Sequence, residues 1–363
     1  MHYIVQKPKK RVRFNEVAVE YRGRYWALGP YYVNLKNVED EEQSSMKINQ
    51  MQYYYDSAYS VKAIITSNEM ALDERNFRSA YYEKVGFRSV EEKKTLEMLL
   101  KDKPLDMGKL KQFCLRFSVP PTHRKLLWKL LLGVLPMYID CHSFVIKQRQ
   151  QEYEDLLRAL EIMRVIDGNT PKPQLFLAMW LLQSGRLHFE SNLKMESSFI
   201  PITQSLMQFF DDDIDIYWVS KCFYDNVLKF ENDIPKLIES TWSLLEKEDI
   251  ALYEHLYSTY IINHFPIRQW FSCCFAGVLN ESALGKIWDK ICGGSYKLLM
   301  FVVVVLFTNQ RHKLMKAYNV ERAMECLSQI PEETAEIIAN KSIEMLQQHT
   351  QHVVYDKLKA TST

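Results

Sequence analysis

The stretch from Gln269 to Phe307 constrains the fold most strongly, because it consists of three apolar runs separated by two breaks. The first run ends at Gly277 and carries its apolar residues at helical spacing: Trp270, Phe271, Cys274 and Phe275. The second run opens with Glu281 in its first turn and stops at Gly293-Gly294. The third run starts at Ser295 and is apolar on all sides, which predicts a helix in the middle of a large core.

The same helical periodicity begins at Asn76 and continues through most of the chain. Glycine, proline and acidic clusters separate the periodic segments, as expected for loops between helices. No segment has a convincing strand period, and no repeat of the length used by solenoids is present. We therefore predict an all-α domain over residues 70–348. It follows a flexible, mostly disordered extension at residues 1–69 and precedes a polar tail at residues 349–363.

Composition excludes several classes of protein. The 46 basic and 45 acidic residues nearly cancel, which argues against a nucleic-acid-binding protein. The longest apolar run, Leu298 to Phe307, is about half of the roughly 20 residues that a transmembrane helix needs. The seven cysteines are scattered and odd in number, as in a reduced intracellular protein. No signal peptide, metal-ligand cluster or phosphate-binding loop is present, so we expect a cytoplasmic protein without cofactor or metal.

Two motifs lie at opposite ends of the helical region. The first has the pattern P-x(2)-R-x(3)-W-x(2)-L-x-G and comprises Pro121, Arg124, Trp128, Leu131 and Gly133. The second joins Trp270-Phe271 to Trp288-Asp289. Together they resemble the signatures of the TBC domain, the helical fold of GTPase-activating proteins for Rab GTPases. The resemblance implies a multi-helix TBC domain in which five signature residues are structural: Arg124, Trp128, Trp270, Trp288 and Asp289. We expect the three tryptophans to be buried.

Within this family, the segments ERNFRSAYYEKVGF, VEEKK and WDK resemble those of a small TBC-only group, the third subunit of the tuberous sclerosis complex. The resemblance implies a structural or regulatory subunit that docks onto a coiled coil of hamartin and, through it, tuberin. That complex promotes GTP hydrolysis by Rheb and restrains TOR signalling. The resemblance also implies that the protein is recruited peripherally to lysosomal or vesicle membranes. One alternative is an active GTPase-activating protein for a Rab-family GTPase. A second is a GTPase-binding effector without catalysis.

Catalysis by a TBC domain requires an arginine from an I-x-x-D-x-x-R motif and a glutamine from a Y-x-Q-G motif, which stabilise charge and orient water. Arg158-x-x-Glu161-x-x-Arg164 lies where the arginine motif is expected, which makes Arg164 the candidate catalytic arginine. A solvated Glu161–Arg164 pair on a helix is the alternative interpretation. No Tyr-x-Gln-Gly occurs near Ser198, and Gln204 lies two turns further on. We therefore expect little or no intrinsic activity.

The partner-binding face is predicted from the helix after the Pro171/Pro173 break. Its apolar residues spread over more than one face, although a surface helix needs only one apolar stripe. We expect Phe176 and Trp180 to form an outward face that binds a hamartin helix. The alternative is that neighbouring helices cover both faces.

One short motif lies in the extension. Arg11-Val12-Arg13-Phe14 resembles the docking motif for protein phosphatase 1, and a basic, flexible leader would explain the same residues.

Overall fold

The structure is a computed structural model of the 363-residue chain. It describes the backbone of residues 11–13, 19–21, 24–26, 32–34, 90–187, 198–328 and 330–360, and side chains only between residues 91 and 349 of these ranges. The chain divides into two compact units, residues 1–77 and 78–363.

The described residues of the first unit form short strands, which are β1 (Arg11–Arg13), β2 (Val19–Tyr21), β3 (Arg24–Trp26) and β4 (Tyr32–Asn34). β1 pairs antiparallel with β4, and β2 pairs antiparallel with β3. These strands lie outside the region predicted to be helical, and the sequence did not indicate them, because segments of three residues are too short to display a recognisable period. The predicted disorder of residues 1–69 otherwise lies outside the described residues.

The second unit is built from helices. Those before the central stretch are α1 (Val90–Leu99), α2 (Met107–Arg116), α3 (Pro121–Leu131), α4 (His142–Ile162), α5 (Lys172–Gln183), α6 (Phe199–Phe209), α7 (Asp213–Phe230), α8 (Ile234–Glu248) and α9 (Ile250–Ser258). Those from the central stretch onward are α10 (Ile267–Ser272), α11 (Glu281–Cys292), α12 (Leu298–Asn309), α13 (Arg311–Leu314), α14 (Val320–Ser328) and α15 (Glu332–Ala360). Three short 3-10 helices are Ile139–Cys141, Glu231–Asp233 and Ile261–His264. The described part of this unit is all-α, as predicted.

Local sequence sets several helix ends. Asp106 and Asp212 accept hydrogen bonds from backbone N–H groups of the first turns of α2 and α7, and Asn280 does the same for α11. Pro121 occupies the first position of α3, where its missing N–H is not needed. Gly133, with a φ of 78°, follows the end of α3. These residues fix how α3 and α11 enter the core.

Helix α12 is buried along nearly its whole length and packs against α8, α11 and α15. The prediction of a central apolar helix is confirmed, but α11 shares that central position, since it contacts α2, α3, α6 and α15. The first apolar run of the central stretch is helical only to Ser272. Cys274 and Phe275 then adopt left-handed φ values of 50° and 63°, so the run turns before Gly277.

Helix α15 extends past the predicted end of the domain. The apolar period weakens after Gln348, yet the backbone remains helical to Ala360. The backbone of residues 349–360 is therefore helical. Among the described residues, no helix is both long enough and apolar enough to cross a bilayer.

Candidate functional site

The two signature motifs meet at the carboxylate of Asp289 on α11. Arg124 on α3 donates from Nε to Oδ1 and from Nη2 to Oδ2, each over 2.9 Å. Trp128, one turn further along α3, donates from its indole nitrogen to Oδ1, also over 2.9 Å. Arg124 additionally donates to the carbonyl oxygen of Val119 over 3.2 Å. The arrangement joins residues that are 165 positions apart in the sequence.

The electrostatics of this cluster are those of a buried ion pair. The Asp289 side chain is 3% exposed and the Arg124 side chain 12% exposed. Burial raises the pKa of the Asp289 carboxyl, while the charge of Arg124 and the hydrogen bonds from Arg124 and Trp128 act in the opposite direction. A buried pair of this kind needs both partners, because either charge alone would be desolvated without compensation.

The other two signature tryptophans lie in the same core. Trp288 is fully buried, packs on Phe223 with ring centroids 4.5 Å apart, and donates from its indole nitrogen to the carbonyl oxygen of Cys274 over 2.9 Å. Trp270 is 6% exposed and packs against Phe275. With Trp128 also fully buried, the predicted burial of all three tryptophans is confirmed.

Gly285 allows α3 and α11 to approach each other. A Cβ atom built on Gly285 would lie 3.1 Å from Nη1 of Arg124 and 3.1 Å from the ring of Phe209. A larger residue would therefore require the Arg124 guanidinium or the Phe209 ring to shift by a few tenths of an ångström. No local sequence pattern marks this residue, because its importance depends on the contact between two distant helices.

Arg164 lies just beyond α4 and has a left-handed φ of 54°. Its N–H donates to the carbonyl oxygen of Glu161, and the N–H of Val165 donates to that of Leu160. These two bonds form a Schellman motif, in which the residue at Arg164's position is usually glycine. The Arg164 side chain is exposed. Glu161 and Arg164 are therefore joined by a backbone hydrogen bond, which the sequence pattern did not indicate.

The glutamine position has no matching residue. Helix α6 begins at Phe199, and no glutamine in the chain is followed by glycine. Gln204 is exposed in the middle of α6, in agreement with its interpretation as a polar helix residue.

The outward face predicted for α5 is not present. Phe176 is fully buried against the rings of Tyr153 and Tyr217, which belong to α4 and α7. Trp180 is 5% exposed, packs on Tyr224 at 5.1 Å, and donates from its indole nitrogen to Asp225 over 3.0 Å. The expectation that Phe176 and Trp180 form an exposed partner face is wrong, because α4, α6 and α7 pack against α5.

Lys290 is a buried cation that the sequence analysis did not identify. It is 3% exposed, and its Nζ donates to the carbonyl oxygens of Cys114 and Phe117 over 2.7 Å and 2.6 Å. These oxygens lie at the C-terminal end of α2, where a helix dipole favours a positive charge. The Trp288-Asp289-Lys290 sequence therefore fastens both α3 and α2 to α11.

An open groove of about 940 Å³ lies between α1, α2 and α15. Its lining combines apolar with polar side chains, the former being Leu99, Phe113, Leu115, Phe117 and Leu346 and the latter Glu92, Thr95, Lys109, Gln112, Arg116, Ser295 and Gln347. The guanidinium of Arg116 lies 5.9 Å from the ring centre of Phe117. The mixed apolar and polar lining of the groove suits an amphipathic helix.

Burial disfavours the reactive thiolate form of several cysteines. Burial raises the pKa of the Cys114 thiol to about 12, and burial also raises the pKa values of Cys274 and Cys292. All seven cysteines are free thiols. Between residues 91 and 349, where side chains are described, no group of three or more histidine, cysteine, aspartate or glutamate residues could hold a metal ion.

Comparison with known proteins agrees with this geometry. A model of the Rab-GTPase-TBC domain family matches residues 208–315. The crystal structure of the Ypt/Rab-GAP domain of Gyp1p superposes with a TM-score of 0.54, covering 72% of this chain and 99% of that one. The two sequences are 15% identical, so this likeness concerns the fold.

Closer relatives identify the family. The chain is 39% identical to TBC1 domain family member 7 of Bos taurus over 280 residues, which is 76% of this chain and 96% of the relative. Its identity to the Homo sapiens protein of the same name is 38%, with the same coverage. The chain therefore belongs to the TBC domain family.

Proposed function

We propose that the protein is a structural and regulatory TBC subunit of a hamartin–tuberin complex, which promotes GTP hydrolysis by Rheb and restrains TOR signalling. The observation that carries the proposal is the similarity to TBC1 domain family member 7, which extends over 96% of the length of the Bos taurus relative. The role in the complex follows from the resemblance described above. On this proposal the protein is cytoplasmic and reaches lysosomal or vesicle membranes through its partners.

The catalytic positions support a role in binding. A Rab-directed TBC enzyme needs a water-orienting glutamine, and this chain has no Gln-Gly pair. The backbone of Arg164 also has a structural role, because its N–H donates one of the two hydrogen bonds of the Schellman motif at the end of α4. An arginine finger accelerates GTP hydrolysis about 10³–10⁵-fold. A chain that lacks one of the two catalytic groups should therefore accelerate GTP hydrolysis much less than a complete enzyme does.

We infer that the hamartin helix binds in the groove between α1, α2 and α15. Five apolar side chains contribute to the lining of the groove, and Arg116, which is exposed, favours an acidic edge on the incoming helix. Helix α15 continues past the groove from Leu346 to Ala360, roughly 21 Å at 1.5 Å per residue. It therefore offers a long edge beside which a helix of a coiled coil can lie.

A matched pair of variants on α1 tests the groove. Leu99 lines the groove, whereas its neighbour Met98 is 64% exposed and is not part of the lining. Isothermal titration of the full chain with the hamartin coiled coil should show binding weakened at least about tenfold by Leu99→Asp, a loss of about 1.4 kcal/mol. Met98→Asp should bind as the wild type does.

The outcomes separate the two parts of the proposal. If hamartin binds and Leu99→Asp has no effect, the groove is the wrong surface and the subunit role stands. If the full chain does not bind hamartin, the subunit role is wrong.

A second function, activation of a Rab-family GTPase, is favoured by one observation. Arg164 is exposed at the end of α4, where the family's arginine motif is expected. On this alternative the partner GTPase would supply its own glutamine. Single-turnover GTP hydrolysis on a set of Rab GTPases tests it, and an acceleration of about 100-fold that Arg164→Ala abolishes would establish the enzyme.

A further inference from the structure

The basic segment at residues 311–318, which includes helix α13, has no part in the TBC signatures or in the groove. Its three cations, Arg311, Lys313 and Lys316, are exposed, and the segment contains no acidic residue. Arg311 pairs with Asp249, which precedes α9, so one of the three charges is offset. The two lysines therefore present a net positive charge to the solvent.

Buried residues hold the backbone of the basic segment in place. Leu314 and Ala317 are fully buried, and the carbonyl oxygen of Ala317 accepts a hydrogen bond from Nε2 of His255, on α9, over 2.9 Å. Within the segment, Nζ of Lys316 lies 2.9 Å from Nε2 of His312. The exposed cations therefore project from a fixed backbone, and an ordered surface loses less conformational entropy on binding than a free loop does.

Exposed aromatic side chains border the basic segment. Tyr318, its last residue, is 78% exposed, and its ring centre lies 5.6 Å from that of His255. Tyr260 is 73% exposed and directly precedes the 3-10 helix Ile261–His264, which packs against α14. Tyr318 lies two residues before α14. The two tyrosines therefore stand beside elements that contact each other.

The backbone of Tyr260 gives a second, independent observation. Its φ of 58° lies in the left-handed region, just beyond the end of α9, where glycine is the favoured residue. A side chain that is 73% exposed gains little from packing within the chain. Folding alone therefore does not account for a tyrosine at this strained position, and strain of this kind is typical of functional sites.

The chemistry of these residues fits the surface of a membrane. Tyrosine is favoured at bilayer interfaces, where one end of the ring is apolar and the other is wet. Anionic lipid headgroups attract lysine and arginine side chains. A nucleic acid is disfavoured as the partner, because the 46 basic and 45 acidic residues of the chain nearly cancel.

We propose that the basic segment, together with Tyr260 and Tyr318, binds the surface of membranes that contain anionic lipids. The lysines supply the attraction to the headgroups, and the two tyrosine rings enter the interface. The contact goes beyond the proposed subunit role, because it requires no partner protein and acts in addition to recruitment through partners.

Co-sedimentation of the purified full chain with lipid vesicles tests the proposal. Vesicles of phosphatidylcholine with phosphatidylserine should bind the wild type at least about tenfold more strongly than vesicles of phosphatidylcholine alone. Lys313→Gln/Lys316→Gln should weaken binding to the anionic vesicles at least about tenfold, since each cation near such a surface contributes roughly a factor of five. Lys101→Gln/Lys103→Gln is the matched control, because it removes the same charge from two exposed lysines before α2. The control should bind as the wild type does.

A tyrosine variant separates membrane binding from folding. Tyr260→Gly should bind the anionic vesicles more weakly, while its melting temperature should not fall, because glycine adopts the left-handed conformation without strain. Tyr138→Ala is the control, since this tyrosine is 62% exposed and precedes α4. It should bind as the wild type does.

The outcomes that would overturn the proposal are distinct from those that concern the subunit role. The full chain might bind neither kind of vesicle, bind both equally, or lose as much binding with the control lysine pair as with Lys313→Gln/Lys316→Gln. Binding to single-stranded RNA in place of the anionic vesicles would also overturn it. Hamartin binding should be unchanged by Lys313→Gln/Lys316→Gln, so a failure here leaves the subunit role intact.

Discussion

Replacement of Asp289 by asparagine should strongly destabilise the helical unit. The change removes the negative charge while leaving the shape of the side chain. It places an amide group against the guanidinium of Arg124, which donates to both carboxylate oxygens. Removing one partner of a buried ion pair costs about 3–5 kcal/mol, because the other charge stays desolvated. Whole domains are stable by only about 5–15 kcal/mol, so the loss is a large fraction of the total.

Urea unfolding measures this effect directly. Asp289→Asn should lower the midpoint without changing the slope, and the melting temperature should fall by roughly 6–20 °C. The control is Asp211→Asn, which breaks the exposed pair with Lys125. That change should alter the free energy of unfolding by no more than about 1 kcal/mol. Combined with Arg124→Met, Asp289→Asn should cost much less than it does alone. A loss below about 1 kcal/mol for Asp289→Asn, or full additivity with Arg124→Met, would refute the ion-pair argument.

Three further predictions use single positions. Arg164→Gly should raise the free energy of unfolding by up to about 1 kcal/mol, because glycine adopts the left-handed conformation without strain. Thermal unfolding measures this gain, and the control Arg164→Ala should not increase the free energy of unfolding. Trp180→Ala should lower the free energy of unfolding by about 3–5 kcal/mol, since its ring is buried in the core, as denaturant titration would show. The hydrogen bond from Ser282 and the charge of Lys286 lower the pKa of Glu336. The stability difference between the wild type and Glu336→Gln should therefore be present above pH 4.5 and shrink as the pH falls below that value.

Each of these predictions can be contradicted by its own measurement. A destabilising Arg164→Gly would mean that the arginine side chain contributes to folding. A folded Trp180→Ala protein with unchanged stability would mean that the Trp180 side chain is not part of the core. A Glu336→Gln difference that persists at low pH would show that the carboxylate charge is not its cause.

The sequence predicted the fold class and the importance of the signature residues, because helical periodicity and apolar helix faces are local properties. It did not predict that Arg124 and Trp128 share one carboxylate with α11, since this contact connects distant segments. For the same reason the sequence did not predict that Lys290 is buried. A lysine in a helix is usually solvated, and only tertiary packing buries this one over the end of α2.

The error at α5 has a similar cause. A helix with apolar residues on two faces either binds a partner or lies between neighbours of the same chain, and its own sequence is the same in both cases. The hydrogen bond from Trp180 to Asp225, on α7, distinguishes the two. At Arg164 the sequence suggested an ion pair, whereas the left-handed backbone depends on how α4 ends.

The separation of 165 residues between Arg124 and Asp289 also has a consequence for biosynthesis. At about 5–20 residues per second, a ribosome needs roughly 8–33 s to make the intervening chain. During that interval α3 exists without the helix that covers Trp128 and neutralises Arg124. The nascent protein therefore exposes an unfinished core for many seconds, and we expect its yield in cells to depend on chaperones more strongly than that of a protein whose core forms between adjacent helices.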